Sequence, residues 1–409
     1  MGGCWHALSL LGIPPGPDSL IKMIMFENAA APRAILAEKA AAFPGHLVLS
    51  NWRDRAGDVG SVLALVEDDC RLMVSILREN PSAEHVLITG GSPCQGLSRA
   101  RSNAKGVYDP RSALIWVFHA LAHKAIEFSA GSRSVALVIE NVVMHSDCVV
   151  PDNISKLFGA KPQRPNANLW THCDRDRYYW SSYRAHPLPT PGQRPDCSSI
   201  LREGWRPLWE LIGDKASSHF SVFLRPFLPQ LPSEHVTSFW KYPLHRYDER
   251  GLVYRPDSPE DILVKIRGFI YSAMRGLPTS RLRDPRSEIN KARSQLCAWI
   301  HLEGGSSWLR PLDADERDQA LGYPRGASGL PSDFHTSPEG LEFDRCGLTG
   351  NAWAPPAAAH VLAPLRDHVL HGAPLEVSLK VPVFSSKEDT LRLIQPSKEF
   401  LGVGGRGRR

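Results

Sequence analysis

The sequence predicts an α/β fold in which helices cover both faces of a mostly parallel sheet. Short apolar runs, each the length of one buried strand, alternate with longer segments whose apolar residues recur at helical spacing. Two of these runs, 85–89 and 135–139, lead directly into reactive side chains. Alternating strands and helices are typical of a parallel sheet whose crossover helices pack on both sides. The 409 residues also allow a second, smaller domain.

Charge and composition exclude several classes of protein. The chain is 42% hydrophobic, and its formal net charge of +5 permits nucleic-acid binding without indicating it. No apolar run reaches the length of a membrane span, and the first residues lack the features of a signal peptide. The 8 cysteines are scattered without a Cys-x-x-Cys pair, so we predict neither a metal site nor a disulfide framework. These features predict a protein that is neither secreted nor embedded in a membrane.

The first part of the chain predicts strand and helix units that could bind a nucleotide-like ligand. Gly2 and Gly3 precede an apolar helix, where glycines let a ligand approach the helix N-terminus. Glu27 ends a strand, where an acid can accept hydrogen bonds from ribose hydroxyls; the alternative is a helix-capping charge. The predicted segments are helix Cys4–Leu11, strand Ile21–Phe26, helix Ala29–Phe43, strand His46–Ser50 and amphipathic helix Ser61–Asn80.

A candidate nucleophile follows the next strand. The apolar run His85–Thr89 is ended by a Gly-Gly-Ser-Pro turn, which leads into Cys94. This turn puts the thiol at the carboxyl end of a strand, where open α/β sheets bind their ligands. A cysteine held there is a candidate nucleophile, and the alternative is a small buried cysteine that closes the strand.

A basic loop follows this cysteine and precedes a helix predicted over Ser112–Phe128. The loop is basic and has few apolar residues. This composition suits a mobile element that closes over DNA phosphates, and the alternative is an ordinary solvated loop. Its candidate DNA-contacting residues are Ser98, Arg99, Arg101 and Lys105.

Two further segments carry polar residues next to apolar runs. The strand Val135–Ile139 is followed by Glu140 and Asn141, and a buried carboxyl group there is a candidate general acid. Arg175 and Arg177 precede an aromatic strand and, two residues apart on an extended chain, point the same way. They could donate hydrogen bonds to a carbonyl or phosphate. Taken singly, a solvated loop glutamate and solvated arginines are the alternatives. The segment Asn168–Trp170 also has the composition of a strand.

Composition shifts after residue 185 and divides the chain. A proline-rich stretch resembles a linker, and the region beyond it is rich in proline, tryptophan and arginine, with a basic cluster over 265–293 that could face DNA. A glycine- and arginine-rich tail ends the chain. We predict a first catalytic segment over 1–185, an inserted domain over 186–304, a return to the catalytic domain over 305–372, and a flexible basic tail over 373–409.

The motifs taken together resemble a known family. Gly91-Ser92-Pro93-Cys94-Gln95, then Glu140-Asn141-Val142, then Arg175-x-Arg177 resemble, in order and spacing, the central motifs of DNA (cytosine-5) methyltransferases. Ile139–Met144 and Gly350–Pro356 look most like the de novo, Dnmt3-type class, whereas Gln95 is the more widespread choice in the family. The resemblance extends to about residue 370 except over roughly 190–300. The family's aromatic-x-Gly-x-Gly cofactor turn is matched only by its tail, so we expect a chain truncated within that motif.

The resemblance implies a fold, a cofactor and a role for each candidate residue. It implies the Rossmann-like sheet of S-adenosylmethionine-dependent methyltransferases, with one mixed strand and an inserted target-recognition domain. Cys94 would be the nucleophile and Glu140 the acid at ring nitrogen 3. Arg175 and Arg177 would hold the ring carbonyl and the surroundings of the thiolate. S-adenosyl-L-methionine would be bound by Gly2, Gly3, Glu27, Asp54, Leu114, Asn351 and Trp353, and Asn141 would position the loop of the acid.

The implied activity is methyl transfer to carbon 5 of cytosine in double-stranded DNA, through a covalent adduct on a flipped base. Two alternatives remain. One is a catalytically silent DNA-binding or regulatory relative, and the other is the transfer-RNA branch, whose Cys-Phe-Thr segment does not occur in this sequence. The expected partners are DNA and a second copy of the chain or a regulatory protein. The expected location is the nucleus in a eukaryote and the cytoplasm otherwise.

Overall fold

The computed structural model describes discrete stretches of the chain. They are residues 3–15, 21–27, 29–44, 47–51, 70–91, 97, 115–144, 151–152, 154–155, 159–173, 175–190, 197–207, 298–301, 307–310, 312–331, 333–334 and 338–375. The strands are β1 (Met23–Glu27), β2 (Leu47–Asn51), β3 (His85–Gly91), β4 (Ser134–Val142), β5 (Arg177–Ser181), β6 (Arg206–Pro207), β7 (Ala298–His301) and β8 (Ser307–Arg310). The helices are α1 (Gly3–Leu10), α2 (Ala30–Ala42), α3 (described over 70–79), α4 (Ile115–Ser129), α5 (Ala314–Ala320), α6 (Pro338–Asn351) and α7 (Pro355–His371).

Parallel pairing dominates the strands of the first segment. β1 and β2 form one parallel pair, and β3 lies parallel to β4 in a second sheet. β5 completes that sheet by pairing antiparallel with the other edge of β4. β6, β7 and β8 form a separate antiparallel sheet. A sheet that contains parallel pairing is therefore present, and β5 is its antiparallel strand.

The central strand β4 is buried on both of its faces. Val135, Leu137 and Ile139 pack into a cluster with apolar residues of α3 and α4. The alternate residues, Ala136 and Val138, pack into a second cluster with apolar residues of α1 and α7. Because successive side chains of a strand point to opposite faces, this division means that helices cover both sides of the sheet. The predicted α/β fold class is confirmed. None of the described helices is long and apolar enough to cross a membrane.

Two strand boundaries differ from the prediction. Gly90 and Gly91 lie within β3 instead of in the turn after it. Gly90 has no room for a side chain, because a Cβ atom there would lie 2.1 Å from the ring of Phe118 on α4. β4 continues through Glu140 to Val142, whereas a strand ending at Ile139 was predicted. Pairing with β5 extends the strand, and local apolar patterning does not report such pairing.

The predicted strand over Asn168–Trp170 was wrong, since this stretch lies in and beside a 3₁₀ turn over Ala167–Leu169. The side chain of Asn166 accounts for the difference. Its Oδ1 accepts hydrogen bonds from the backbone N–H of Asn168 and of Arg175. A local side-chain acceptor of this kind competes with strand pairing for the backbone donors.

The small antiparallel sheet spans the predicted boundary at residue 304. β6 and β7 precede the boundary, and β8 follows it, so the two predicted units share one hydrogen-bonded sheet. Most of the predicted inserted domain lies outside the described residues, and the division into domains remains a prediction.

A buried carboxylate joins α5 to α6 beside this sheet. Both oxygens of Asp318 accept hydrogen bonds, Oδ2 from the backbone N–H and hydroxyl of Ser328 and Oδ1 from the hydroxyl of Thr349. Burial nevertheless raises the pKa of Asp318 from 3.8 to about 6, because desolvation of the charged form outweighs these hydrogen bonds.

This raised pKa predicts a pH dependence of stability. The folded chain binds the proton more tightly, so the contribution of Asp318 is fully present below about pH 4 and is lost as the pH rises through about 6. The Asp318→Asn variant should lack this loss, which corresponds to about 3 kcal/mol of unfolding free energy. Urea unfolding of both proteins between these pH values measures the difference. Parallel pH profiles for the two proteins would contradict the assignment.

Candidate active site

The predicted acid lies opposite the end of β3. In the β3–β4 register Gly91 pairs with Glu140, and this is the last parallel pair of the ladder. Beyond it, the pairing that the described residues show for β4 is with β5. Glu140 is buried, with 8% of its surface exposed. The carboxyl end of the parallel pair therefore carries a buried carboxyl group, at the edge where open α/β sheets bind ligands.

Arg177 forms an ion pair with this carboxyl group. Arg177 lies opposite Val142 in the register, so Glu140 is its diagonal neighbour on the same face of the sheet. The guanidinium Nε lies 2.9 Å from Glu140 Oε1, and both side chains are about nine-tenths buried. The two groups meet as an ion pair without the alignment of a hydrogen bond. The antiparallel strand β5 thus provides the positive charge that the buried acid requires.

Arg175 connects the same region to the C-terminal helices. Its side chain is buried, and its Nη1 donates a hydrogen bond of 3.1 Å to the backbone oxygen of Gly350 in α6. Its backbone N–H is held by Asn166. The two predicted arginines therefore have different neighbours, since Arg177 contacts the acid and Arg175 contacts the end of α6.

Trp353 lies between two glycines that are far apart in sequence. A Cβ atom on Gly91 would lie 3.0 Å from Glu140 Oε2 and 3.3 Å from Trp353 Nε1. A Cβ atom on Gly3 would lie 2.8 Å from Trp353 Cβ. The structure therefore brings together three predicted site residues, Glu140, Trp353 and Gly3, around the end of β3. Any side chain on either glycine would push into this arrangement.

Two buried tyrosines support Trp353, and neither was predicted as a site residue. Tyr323 donates a hydrogen bond of 2.8 Å from its hydroxyl to the backbone oxygen of Trp353. The ring of Tyr179 packs edge-on against Trp353 at 5.8 Å between centroids. Burial raises the pKa of both tyrosines, so they remain neutral hydrogen-bonding groups. Tyr179 lies in the aromatic strand that begins at Arg177, and this proximity was the available signal for it.

His6 borders the same cluster from α1. Its ring meets the ring of Tyr323 edge-on at 5.0 Å. Burial, together with the nearby charge of Lys39, lowers the pKa of His6 to about 4. The imidazole is therefore neutral at pH 7 and adds no charge to the site.

Three other predicted residues have local roles. Glu27 Oε1 accepts a hydrogen bond from the backbone N–H of Ala29, the residue just before α2. Asn141 is buried, and its Oδ1 accepts from the backbone N–H of Val142. Asn351 is exposed and is the last residue of α6. Their functional roles remain predictions.

The remaining predicted site residues lie outside the described part of the chain. They are Gly2, Asp54, Cys94, Ser98, Arg99, Arg101, Lys105 and Leu114.

A second cysteine lies close to the site but is a poor nucleophile. Burial raises the pKa of the Cys4 thiol to about 11, despite a hydrogen bond with Thr89. The thiolate is the reactive form, so Cys4 does not compete for nucleophilic chemistry at neutral pH. Within the described stretches, Cys4, Cys70 and Cys173 form no disulfide bond, and no group of three or more His, Cys, Asp or Glu side chains could hold a metal ion.

Comparison with known proteins gives one named structural likeness. No family model matches the chain. Among solved structures, the chain is similar to the crystal structure of S. pombe Dnmt2 methyltransferase, with 14% sequence identity, a TM-score of 0.40, and coverage of 89% of this chain and 96% of that chain. Likeness at this level does not identify a reaction or a substrate, which have to be inferred from the residues of the site.

The buried ion pair predicts a large and specific effect on stability. Arg177→Met should lower the free energy of unfolding by about 3–5 kcal/mol, because it leaves a buried carboxylate uncompensated. The double variant Arg177→Met/Glu140→Gln should recover part of this loss. Urea unfolding of the single and double variants measures the coupling.

Arg164 and Asp176 provide the matched control, since they form an exposed ion pair on the neighbouring stretch. Arg164→Met should cost less than about 1 kcal/mol. Equal losses for Arg164→Met and Arg177→Met would show that burial does not strengthen the pair.

Proposed function

We propose that this chain is a DNA cytosine-5 methyltransferase that uses S-adenosylmethionine and acts on a flipped cytosine through Cys94. The resemblance of three separate motifs, in order and spacing, supports this reaction. One structural observation carries the proposal: the last parallel register sets Gly91, which leads into Cys94, against the buried pair of Glu140 and Arg177. The strand that carries the proposed acid and the strand that leads toward the proposed nucleophile thus meet at one sheet edge.

Chain connectivity limits the distance between the proposed nucleophile and the acid. Three residues span at most about 11 Å, which is the largest separation that the chain allows between the Cα atoms of Gly91 and Cys94. The Cys94 thiolate adds to carbon 6 of the cytosine ring, and the electron pair of the C5–C6 double bond shifts toward carbon 5. A proton from Glu140 at ring nitrogen 3 relieves the negative charge, a role worth about a hundred- to ten-thousandfold.

Methyl transfer then follows from the electron-rich carbon 5. S-adenosylmethionine, when bound, supplies the electrophilic methyl group. The new bond from carbon 5 to the methyl carbon would break the methyl–sulfur bond of the sulfonium and release a thioether. Carbon 5 would then lose its own proton to a base, and ring nitrogen 3 would return its proton to Glu140. The bond between carbon 6 and sulfur would break as the ring double bond re-forms, which regenerates the thiolate of Cys94.

The two arginines have distinct parts in this chemistry. Arg177 already contacts Glu140, so it orients the acid and balances its charge whenever the carboxyl is ionised. Arg175, at the same strand end and held by Gly350, would donate to the ring carbonyl. Positive charge from both groups favours the thiolate of a cysteine nearby.

The residues around Trp353 fit a bound cofactor. A glycine on each side leaves the indole next to backbone that carries no side chain. Gly3 begins α1, whose first N–H groups favour a carboxylate, and an aromatic ring can face a sulfonium cation. Glu27, at the carboxyl end of β1, would accept from ribose hydroxyls. Gly2, Asp54, Leu114 and Asn351 complete the proposed cofactor set.

Double-stranded DNA is the proposed substrate. Addition at carbon 6 requires the ring face of cytosine to be exposed, and in a duplex that face is stacked. Flipping a base out of the duplex costs a few kcal/mol. Phosphate contacts from the basic loop with Arg99, Arg101 and Lys105, together with the proposed target-recognition domain over 186–304, would offset this cost.

Methyl transfer from labelled S-adenosylmethionine tests the proposal. We expect label in cytosine-containing duplex DNA, none with Cys94→Ala, and a rate lowered at least about a hundredfold with Glu140→Gln, which cannot donate an acidic proton. Transfer RNA runs in parallel as a substrate. Label in transfer RNA alone would mean that the substrate is transfer RNA and not DNA. No transfer to either, with no cofactor binding by calorimetry, would refute the enzyme.

Gly91→Ala should impair the reaction without unfolding the chain. The added methyl group meets Glu140 Oε2 and Trp353 Nε1, so both must move by a few tenths of an ångström. We expect kcat to fall by roughly ten- to a hundredfold, because the acid is misplaced. Single-turnover kinetics with duplex DNA measures the loss.

Gly347→Ala is the control for this variant. Gly347 lies within α6, and a Cβ atom there meets nothing within 4 Å. Alanine in a helix interior should keep the rate and raise stability by about 0.5–1 kcal/mol. Equal rates for Gly91→Ala and Gly347→Ala would show that Gly91 is not part of the active site.

A further inference from the structure

Asp318 lies at the branch point of a hydrogen-bond chain that reaches the site by two routes. Its carboxylate is fully buried and accepts from Ser328 and Thr349. Its backbone oxygen accepts from the backbone N–H of Tyr323 at 2.9 Å. One residue of α5 therefore holds both the end of α6 and the turn that follows α5.

The first route leads to Arg175. Thr349 donates its hydroxyl proton to Asp318 Oδ1 at 3.2 Å, and the next residue in the chain is Gly350. The backbone oxygen of Gly350 accepts from Arg175 Nη1 at 3.1 Å. The side chain of Asp318 is therefore one hydrogen bond and one peptide unit from the carbonyl that holds a proposed catalytic arginine.

The second route leads to Trp353. Gly322 has a φ of +89°, and a Cβ atom there would lie 2.7 Å from Pro356, so the turn at this point packs directly against the start of α7. Tyr323, the next residue, donates from its hydroxyl to the backbone oxygen of Trp353 at 2.8 Å. The Asp318 backbone oxygen holds the start of this turn at Tyr323, and the Asp318 carboxylate holds its end at Ser328. Loss of the carboxylate therefore frees one end of the segment that supports the indole beside Gly91 and Gly3.

We propose that Asp318 is a positioning residue of the active site, which sets the placement of Arg175 through Thr349 and of Trp353 through Tyr323. The inference deepens the proposed methyltransferase function and rests on it for the meaning of those two positions. Asp318 itself contacts neither residue, so it acts only through its two neighbours.

The two routes can be cut separately. Thr349→Val removes the hydroxyl that joins Asp318 to α6 and should lower kcat by roughly tenfold while KM for S-adenosylmethionine changes by less than about threefold. Tyr323→Phe removes the hydrogen bond to Trp353 and should raise that KM by roughly tenfold with a smaller effect on kcat. Asp318→Ala keeps its backbone bond to Tyr323 but loses the carboxylate contacts with Thr349 and Ser328. It should therefore show the full effect on kcat and a smaller rise in KM than Tyr323→Phe.

Asp318→Asn should restore most of the activity that Asp318→Ala loses. The amide can turn its oxygen toward Ser328 and its NH₂ toward Thr349 Oγ1. The Thr349 hydroxyl would then donate its proton to the backbone oxygen of Arg345, which lies 3.2 Å away. Asp315→Asn is the matched control, because Asp315 also joins α5 to α6 through Arg345 but touches neither Thr349 nor Tyr323. It should leave kcat and KM unchanged.

A readout without turnover separates this inference from the proposed function. In protein labelled with 5-fluorotryptophan, the fluorine resonance of Trp353, assigned with Trp353→Phe, should shift in Asp318→Ala and Tyr323→Phe but not in Asp315→Asn. That shift would support the positioning role even if wild-type protein transferred no methyl group. An unchanged resonance, or kinetic effects of Thr349→Val and Tyr323→Phe no different from those of Asp315→Asn, would overturn it.

Discussion

A buried carboxyl group paired with a buried guanidinium sets the main constraint on this structure. Burying either charge alone costs several kcal/mol, so the fold must deliver Glu140 and Arg177 together. Glu140 and Arg177 meet because β4 continues past the end of β3 and because β5 pairs antiparallel with that extension. The sheet edge is thereby shaped around the pair, and the mixed strand is part of the site as well as of the fold.

The C-terminal helices complete this edge from the other end of the chain. α7 packs with α1 against one face of β4, and the residues just before it bring Trp353 to the glycine of β3. Gly350 accepts from Arg175, and Tyr323 supports Trp353 from the turn after α5. The candidate site is therefore assembled from the start, the middle and the end of the chain.

Much of the fold could be predicted because it depends on local patterns. The apolar runs of β3 and β4 and the helices α1, α2 and α4 appear close to the predicted bounds. Predictions failed where a side chain or a distant strand decided the outcome. The side chain of Asn166 accepts a hydrogen bond from the backbone N–H of Asn168, and this strand-like sequence forms a 3₁₀ turn instead. β4 is longer than predicted because it pairs with β5. Gly90 lies within β3, where the ring of Phe118 packs against it.

The sequence by itself determined the alternation of strands and helices, and it marked Glu140, Arg175 and Arg177 as candidates, because apolar periodicity and motif order are properties of neighbouring residues. Only the tertiary structure decided that Arg177 pairs with the acid while Arg175 holds α6, that Trp353 lies against Gly91, and that Tyr323 and Asp318 support them. Those outcomes depend on strand register and helix packing between segments far apart in the chain. Contacts of that kind leave no signal in local composition, since each partner is placed by the burial of other residues.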